Sequence, residues 1–214
     1  MFAVEKTSRF CLAHFLPQQK FGTCKCRAIH GHNYKYTVRV ETRDLSPDDM
    51  VIDFGFIKTA INEYFDETLD HSILITWKHF NVDLLTRFAV ERIDNIQLNY
   101  LTESGYTDVI QLSSEKIENI DELLKKLFSD SKDPAVLTTI TCYHQESEDK
   151  DTYSERVVSK IAITPYMPTA ERIAYIISRK LRDLTDYLAL DTVTAIEVKV
   201  YETEDSCAIY REEF

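Results

Sequence analysis

The sequence contains few glycines, few cysteines and no long hydrophobic run, and each shortage narrows what the protein can be. Its 214 residues include 4 glycines and 5 cysteines. An odd number of cysteines at irregular spacing argues against a disulfide framework of the kind found in small secreted domains. No apolar run reaches the roughly 18 to 20 residues that a membrane-spanning helix needs. The N-terminal segment also lacks the apolar core of a signal peptide, so we expect a cytoplasmic protein with reduced thiols.

An excess of positive charge is also missing. The formal net charge is −11, which argues against nucleic acid or an anionic membrane surface as a general partner. Hydrophobic residues make up 44% of the chain, and 12 tyrosines and 11 phenylalanines are among its aromatic residues. This composition is sufficient for a packed core. We therefore expect a folded protein that binds neither nucleic acid nor a membrane.

Hydrophobic periodicity predicts both strands and amphipathic helices. Strands are predicted at residues 2–14, 34–42, 135–144, 156–164 and 194–204, and helices at 54–70, 113–130 and 168–188. Thr169 lies at the N-cap of the last predicted helix. The first two strands can pair as an antiparallel hairpin across a loop rich in turn residues. This order of elements predicts the α+β class with an antiparallel sheet.

The segment HGHNY at 30–34 places two of the six histidines around one of the rare glycines. Side chains alternate along a strand, so His30 and His32 point to the same face, and Gly31 reduces the bulk on the opposite face. His14 ends the preceding predicted strand. If the two strands pair, three imidazoles converge. Three protein ligands with an open fourth position are typical of a catalytic zinc site.

Three other interpretations stay open on spacing alone. An isolated H-x-H pair also occurs in half-buried strands that bind no metal. Cys24 and Cys26 could join the H-x-H pair in a closed structural zinc site, although structural fingers separate each ligand pair by two or more residues rather than one. Cys142 and His144, spaced C-x-H, could bind a second metal, but a strand with one buried cysteine is the preferred explanation of that pair.

Six short motifs together resemble the 6-pyruvoyltetrahydropterin synthase family, which includes the bacterial 6-carboxytetrahydropterin synthases. The motifs are F-C-L-A-H (10–14), C-R-A-I-H-G-H-N-Y (26–34), M-V-I-D-F-G-F-I-K (50–58), L-D-H (69–71), P-T-A-E-R-I-A (168–174) and Y-E-T (201–203). They lie in the family's order within two flanks, 1–75 and 156–214, which the resemblance assigns to one pterin synthase domain. Residues 76–155 have no counterpart in compact members of the family, so we predict that they are an insertion of unknown role.

The resemblance implies a tunnelling fold: a four-stranded antiparallel sheet with two helices on one face, here with an inserted α/β segment. Subunits of such proteins join edge to edge into barrels, which implies a trimer-based homo-oligomer with active sites at subunit boundaries. The resemblance also implies Zn²⁺ as the cofactor, held by His14, His30 and His32. Leu12 and Met167 depart from residues common in the family, but neither is an implied zinc ligand.

The resemblance further implies roles for five residues outside the zinc ligands. Cys26 would be the catalytic base, Asp70 and His71 would complete the proton-handling groups, and Glu202 and Thr169 would bind the pterin substrate. Cys26 stands four residues before His30, the spacing of the carboxy branch, and is preferred as the base. Cys24 stands six residues before His30, the spacing of the pyruvoyl branch.

The implied reaction is the zinc-dependent conversion of 7,8-dihydroneopterin triphosphate to 6-carboxytetrahydropterin, acetaldehyde and triphosphate, as in queuosine-type 7-deazaguanine biosynthesis. Two alternatives stay open: the pyruvoyl activity, which only eliminates triphosphate, and a pterin-binding homologue without catalysis. Lys20, Lys25 and Arg27 are candidates for contacting the triphosphate, although solvated loop charges explain them equally well.

Overall fold

The computed structural model describes residues 1–17, 25–146, 154–187 and 192–214. The chain divides into two compact units. The first contains Met1–His71, Ser104–Tyr106 and Pro168–Phe214, and the second contains Ser72–Glu103 and Thr107–Met167. The second unit therefore extends beyond the predicted middle segment, 76–155, at both ends. No helix in the described ranges is both long and apolar enough to cross a membrane.

Strands and short helices alternate along the described ranges. The strands are β1 (Phe2–His14), β2 (His30–Thr42), β3 (Ser72–Thr76), β4 (Asn95–Thr102), β5 (Thr107–Ser113), β6 (Ala135–Gln145), β7 (Glu155–Thr164), β8 (Val193–Tyr201) and β9 (Cys207–Glu213). The α-helices are α1 (Phe54–Ile61), α2 (Glu67–Leu69), α3 (Asp83–Phe88), α4 (Ile120–Lys125) and α5 (Ala170–Tyr187). Two π-helical segments, Asn62–Asp66 and Lys126–Asp130, continue α1 and α4, and the 3₁₀ turns are Lys25–Arg27, Trp77–His79 and Ser114–Asn119.

The sheet of the first unit has the strand order β1-β2-β8-β9, and each neighbouring pair is antiparallel. Helix α5 packs on β8 and β9, and α1 packs on α5, so both helices lie on one face of this sheet. Buried side chains fill the layer between sheet and helices; they include Tyr34, Tyr36, Val38, Ile173, Ile177, Ile196 and Val198. The α+β class predicted from the sequence is confirmed.

Helix α5 begins where the sequence predicts. The Oγ1 atom of Thr169 accepts a hydrogen bond from the backbone N–H of Arg172 at 3.4 Å, and the Thr169 carbonyl accepts one from Ile173 at 2.9 Å. This is the pattern of an N-cap. The predicted apolar stripe is buried throughout: Ile173, Ala174, Ile176, Ile177 and Leu181. The cap fixes the chain beside Pro168, whose carbonyl contacts His14.

The five strands of the second unit are hydrogen-bonded in the order β5-β4-β6-β7-β3. Neighbouring strands in this run are antiparallel except for β3 and β7, which are parallel. The predicted strands at 135–144 and 156–164 correspond to β6 and β7, and the helix predicted at 113–130 begins as a 3₁₀ turn and ends as a π-helical segment. Strand pairing in this segment is therefore mixed: three antiparallel pairs and one parallel pair.

Four strands and one helix were not predicted: β3, β4, β5, β9 and α3. The strand predicted at 194–204 is wrong at its end, because β8 stops at Tyr201 and the chain turns. In that turn the backbone N–H of Glu202 donates to the carbonyl of Ser206 at 3.3 Å. Residues 202–206 are polar or small, and their pattern does not distinguish a strand from a turn. The correction matters because it moves Glu202 from a strand into a hairpin turn.

Ion pairs cover the face of the first sheet that lies away from the helices. Glu41 is central to them: its carboxylate accepts two hydrogen bonds from Arg211, at 2.8 and 3.0 Å, and one from Arg39 at 2.7 Å. Arg211 lies on β9 and Arg39 on β2, so the cluster joins strands across the sheet. These hydrogen bonds lower the pKa of Glu41 from its ordinary value of 4.5 to about 2.

Replacing Glu41 by glutamine should destabilise the protein by about 1–3 kcal/mol at neutral pH, because the arginines lose charge-assisted hydrogen bonds. A carboxyl whose pKa is lowered on folding stabilises the folded state above pH 4.5 and loses this contribution as the pH falls toward 2. The difference between wild type and E41Q should therefore shrink in acid. Urea unfolding at a series of pH values measures it.

The matched control is E213Q, because Glu213 also contacts Arg211 but is 78% exposed. We expect E213Q to change stability by less than about 0.5 kcal/mol. Equal stability losses in E41Q and E213Q, or a difference that does not depend on pH, would contradict a central role for Glu41.

Candidate metal centre

The pairing of β1 with β2 brings the three predicted histidines together. His14 lies directly opposite His30, and Leu12 lies opposite His32, so the three imidazoles leave the same face of the hairpin. Ring centroids are 4.5 Å apart for His14 and His30, 5.3 Å for His14 and His32, and 5.0 Å for His30 and His32. The convergence expected from the sequence is therefore present.

The sequence predicts a need for Gly31, because a glycine reduces bulk opposite the histidines, but the structure shows no such need. An added Cβ at Gly31 would meet the Leu12 carbonyl oxygen at 3.7 Å, which is an ordinary contact. The strand therefore has room for a larger residue on the face opposite the histidines. The rings converge because of the strand register and not because Gly31 removes bulk.

Backbone carbonyls orient two of the three rings. The Nδ1 atom of His14 lies 2.6 Å from the carbonyl oxygen of Pro168, and Nδ1 of His30 lies 2.8 Å from that of Ala28. A carbonyl can only accept, so each Nδ1 carries a hydrogen, and Nε2 has a free lone pair whenever the ring is neutral. This is the outer hydrogen bond that metal-binding histidines commonly make. It leaves the Nε2 atoms as the ligand atoms.

Glu202 joins the histidines. Its Oε1 atom lies 3.2 Å from Nε2 of His14 and 3.3 Å from Nε2 of His32. One ligand atom from each of His14, His30, His32 and Glu202 lies within 4.8 Å of the others, and no second group of three or more potential ligands occurs within the described ranges. The sequence had predicted Glu202 as a pterin contact and not as part of this group.

Tyr34 contacts both Glu202 and the buried His14. Its hydroxyl donates to Oε1 of Glu202 at 3.4 Å and lies 3.3 Å from Nε2 of His14. Burial, with the adjacent Glu202 carboxylate, raises the pKa of Tyr34, so the phenol stays protonated and remains a donor. Sequence reasoning missed this residue, because a tyrosine in a strand reads first as part of the core.

The electrostatics of the group favour a cation. The hydrogen bond with His14 lowers the pKa of Glu202, and burial lowers the pKa of His32, so the carboxylate is charged and the imidazole neutral near pH 7. These are the protonation states that metal ligands need. The Nε2 atom of His32 is buried and makes no hydrogen bond, despite its 3.3 Å distance from Glu202. A bound cation would satisfy this atom, so the residues fit a metal ion.

Cys26 lies on the 3₁₀ turn that precedes β2. Its carbonyl accepts a hydrogen bond from the N–H of Leu16 at 2.7 Å, which ties the turn to the chain leaving β1. A cavity of about 360 Å³ is lined by Cys26, His14, Thr169 and Glu202. Four residues with separately predicted roles therefore face one space.

Other predicted residues lie outside this cavity or outside the described ranges. Among the described residues that line it, Asp70 and His71 are absent. The backbone N–H of Cys11 donates to Asp70 at 2.6 Å, and Nδ1 of His71 lies 2.8 Å from the Asp70 carboxylate. His71 has a positive φ of 58° and is 80% exposed. Cys24 and Lys20 lie outside the described residues.

The C-x-H pair in the second unit is explained by burial and a hydrogen bond. Cys142 is fully buried on β6, which raises the pKa of its thiol to about 12. Nδ1 of His144 lies 2.8 Å from the Asp94 carboxylate. The pair therefore has the features of a buried strand cysteine beside an ion-paired histidine.

Comparisons with known proteins agree with this geometry. The family model described as 6-pyruvoyl tetrahydropterin synthase matches residues 3–213. A 6-carboxy-5,6,7,8-tetrahydropterin synthase from Rickettsia felis is 37% identical over 51 residues, which are 24% of this chain and 37% of that protein. The chain therefore aligns with little more than a third of the length of this relative.

Two solved structures share the fold. The 6-pyruvoyl tetrahydropterin synthase of Plasmodium vivax superposes with a TM-score of 0.52 and 17% identity, covering 100% of both chains. An uncharacterized protein from Wolinella succinogenes superposes with a TM-score of 0.57 and 23% identity, covering 99% of this chain and 97% of the other. The α+β architecture is thus the one found in such structures.

Replacing His32 by alanine should weaken Zn²⁺ binding by at least about 100-fold, because loss of even an outer partner of a metal ligand costs 10- to 100-fold. Competition with a chromophoric chelator measures the affinity. His79→Ala is the control, since His79 lies on a 3₁₀ turn of the second unit. Equal Zn²⁺ affinities for H32A and wild type would show that the metal binds elsewhere.

Proposed function

Because the chain belongs to the 6-pyruvoyl tetrahydropterin synthase family, we propose that it is a zinc-dependent pterin lyase of the 6-carboxytetrahydropterin synthase type. Its substrate is 7,8-dihydroneopterin triphosphate, and its products are 6-carboxytetrahydropterin, acetaldehyde and triphosphate. The observation that carries the proposal is the cavity shared by Cys26, His14, Thr169 and Glu202, with two further imidazoles beside His14. The curated relatives named 6-carboxytetrahydropterin synthase support the carboxy branch.

His14, His30 and His32 would hold the zinc through their Nε2 atoms. When bound, the ion acidifies the side-chain hydroxyls of the substrate and polarises a developing carbonyl. The protein orients the ligands: the carbonyls of Pro168 and Ala28 fix the rings of His14 and His30. Preorganised ligands do not have to be ordered when the ion binds.

Cys26 is the proposed base. Its Sγ atom, as the thiolate, would take the proton from the carbon beside the substrate hydroxyl. A cation held by the adjacent histidines favours the thiolate, and the 3₁₀ turn keeps Cys26 on the wall of the cavity. Its position four residues before His30 supports the carboxy branch, whereas Cys24 would be the base for the pyruvoyl alternative.

Glu202 would anchor the pterin. Its carboxylate can accept the ring N–H and the exocyclic amine hydrogen in one forked contact, as carboxylates do with arginine. Its Oε1 atom lies beside Nε2 of His14 and of His32, so the pterin anchor would adjoin the rings that would hold the zinc. Thr169, on the same cavity wall, would close the pterin site from the start of α5.

Asp70 and His71 would supply the second proton-handling pair, with the carboxylate fixing the imidazole. The exposure of His71, and its absence from the described residues that line the Cys26 cavity, support a site completed by a neighbouring subunit. We therefore propose a trimer-based tunnelling-fold oligomer with active sites at subunit boundaries. Residues 76–155 are proposed to be an insertion into this domain.

Incubating the zinc-loaded protein with dihydroneopterin triphosphate should release acetaldehyde, measured with a coupled dehydrogenase. C26A should lose roughly 100-fold or more of this rate, the usual range for removing a proton-transfer group. C11A should keep it, because Cys11 is an exposed cysteine that contacts Asp70 only through its backbone N–H.

The outcomes separate the alternatives. A diketo product without acetaldehyde, lost in C24A rather than C26A, would reject the carboxy branch in favour of the pyruvoyl one. Zinc and pterin binding without any product, equally in wild type, C24A and C26A, would favour a binding homologue.

Mixing two inactive variants tests the shared site. C26A and H71A should each be inactive, and their mixture after dissociation and reassembly should regain activity at about a quarter of the sites, where an intact Cys26 meets an intact His71 of another subunit. The control mixes H71A with the double variant C26A/H71A, which contains no intact His71. No recovery in the C26A and H71A mixture would place both groups in one chain.

A further inference from the structure

Three cations on the outer face of the first unit's sheet are paired with carboxylates. Arg39 and Arg211 both contact Glu41, and Lys199 lies 3.2 Å from Glu197. Such cross-strand pairs are what a solvated sheet face normally carries. Cations on this face that lack a carboxylate partner therefore differ from their neighbours.

Arg9 and Lys35 lie on the same face and have no such partner. They are register partners on β1 and β2, so their side chains stand directly opposite each other, and both are exposed. Within the described ranges no carboxylate lies within ion-pair distance of either one, and Lys35 instead lies over the Tyr201 ring at 5.0 Å. Like charges directly opposite on an antiparallel pair are destabilising. An anion bound from outside the chain would stabilise this arrangement.

A cavity of about 520 Å³ opens beside these two cations. Asn33, Tyr201 and Thr203 also line it and can supply neutral hydrogen-bond donors. A planar guanidinium opposite a mobile ammonium suits the oxygens of a phosphate chain, since the first binds in a fork and the second as a point charge.

Glu202 connects this cavity with the candidate metal centre. It lines both the cavity of Arg9 and Lys35 and the cavity of Cys26. Strand β8 pairs with β2 only from Lys35 onward, so the β2 segment that carries His30 and His32 extends past the end of β8. The β2 edge beside Glu202 is therefore not paired with β8, and Glu202 is the residue that the two cavities share.

We propose that Arg9 and Lys35 form a subsite for the phosphate groups of the substrate bound at the candidate metal centre. This subsite rests on the proposed function, because a pterin triphosphate is the ligand that brings phosphates to it. The sequence had pointed instead to Lys20, Lys25 and Arg27. Lys25 and Arg27 are exposed on the turn that carries Cys26, and Lys20 lies outside the described residues.

Binding of inorganic tripolyphosphate to the zinc-free protein tests the subsite, because without zinc the anion cannot be held by the metal. Isothermal titration should show binding to wild type that weakens by roughly 100-fold in R9Q/K35Q, as expected for losing two charge-assisted contacts. R43Q/K58Q removes two exposed cations of the same unit that line neither cavity, and it should bind like wild type. E204Q should bind more tightly by several-fold, since Glu204 is a carboxylate on the wall of this cavity.

Three results would overturn the subsite: no binding to wild type, equal weakening in R9Q/K35Q and R43Q/K58Q, or an affinity unchanged by E204Q. Zinc content of each variant serves as the check on folding. None of these outcomes depends on turnover, so failure of the subsite leaves the acetaldehyde result standing. Conversely, a chain that binds tripolyphosphate through Arg9 and Lys35 but releases no acetaldehyde would keep the subsite and reject the carboxy-branch activity.

Discussion

The antiparallel register between β1 and β2 is the constraint on which the candidate site depends. Because side chains alternate along a strand, a slip of one residue would turn every ring of one strand to the opposite face. The aromatic core holds the register: Phe10 lies 5.5 Å from the rings of both Tyr34 and Tyr36, and all three side chains are buried. The hydrophobic core and the histidine cluster are therefore two parts of one strand pair, and changes to the core reach the site.

The outer ring nitrogens of His14 and His30 have hydrogen-bond partners, whereas the inner nitrogens of the three histidines converge. The carbonyls of Pro168 and Ala28 hold the outer nitrogens of two rings, while the inner nitrogens face Glu202 or each other. A buried ring nitrogen without a hydrogen bond costs free energy, as Nε2 of His32 illustrates. The folded chain thus retains a local cost that a cation would remove, which is how binding sites commonly arise within otherwise well-satisfied structures.

Much of the site and about half of the elements follow from the sequence, and the reasons are specific. The hairpin and α5 have strong periodicity, so their positions and the convergence of the histidines could be predicted, although β2 begins at His30 and not at the predicted residue 34. The turn at Glu202 and the strands β3, β4 and β5 of the second unit could not, because short segments with polar residues on one face carry a weak signal. Arg9 and Lys35 face each other only because of the register between β1 and β2, and the local sequence does not reveal that register.

The contact between His14 and Pro168 joins residues 154 positions apart in the chain. Glu202, the acidic member of the cluster, is supplied later still, after β8. A nascent polypeptide emerging from the ribosome therefore exposes its histidine hairpin long before the groups that orient and complete the cluster exist. Assembly of the cluster is therefore a late event in the folding of each molecule, completed only when the segments that carry His14, Pro168 and Glu202 have met.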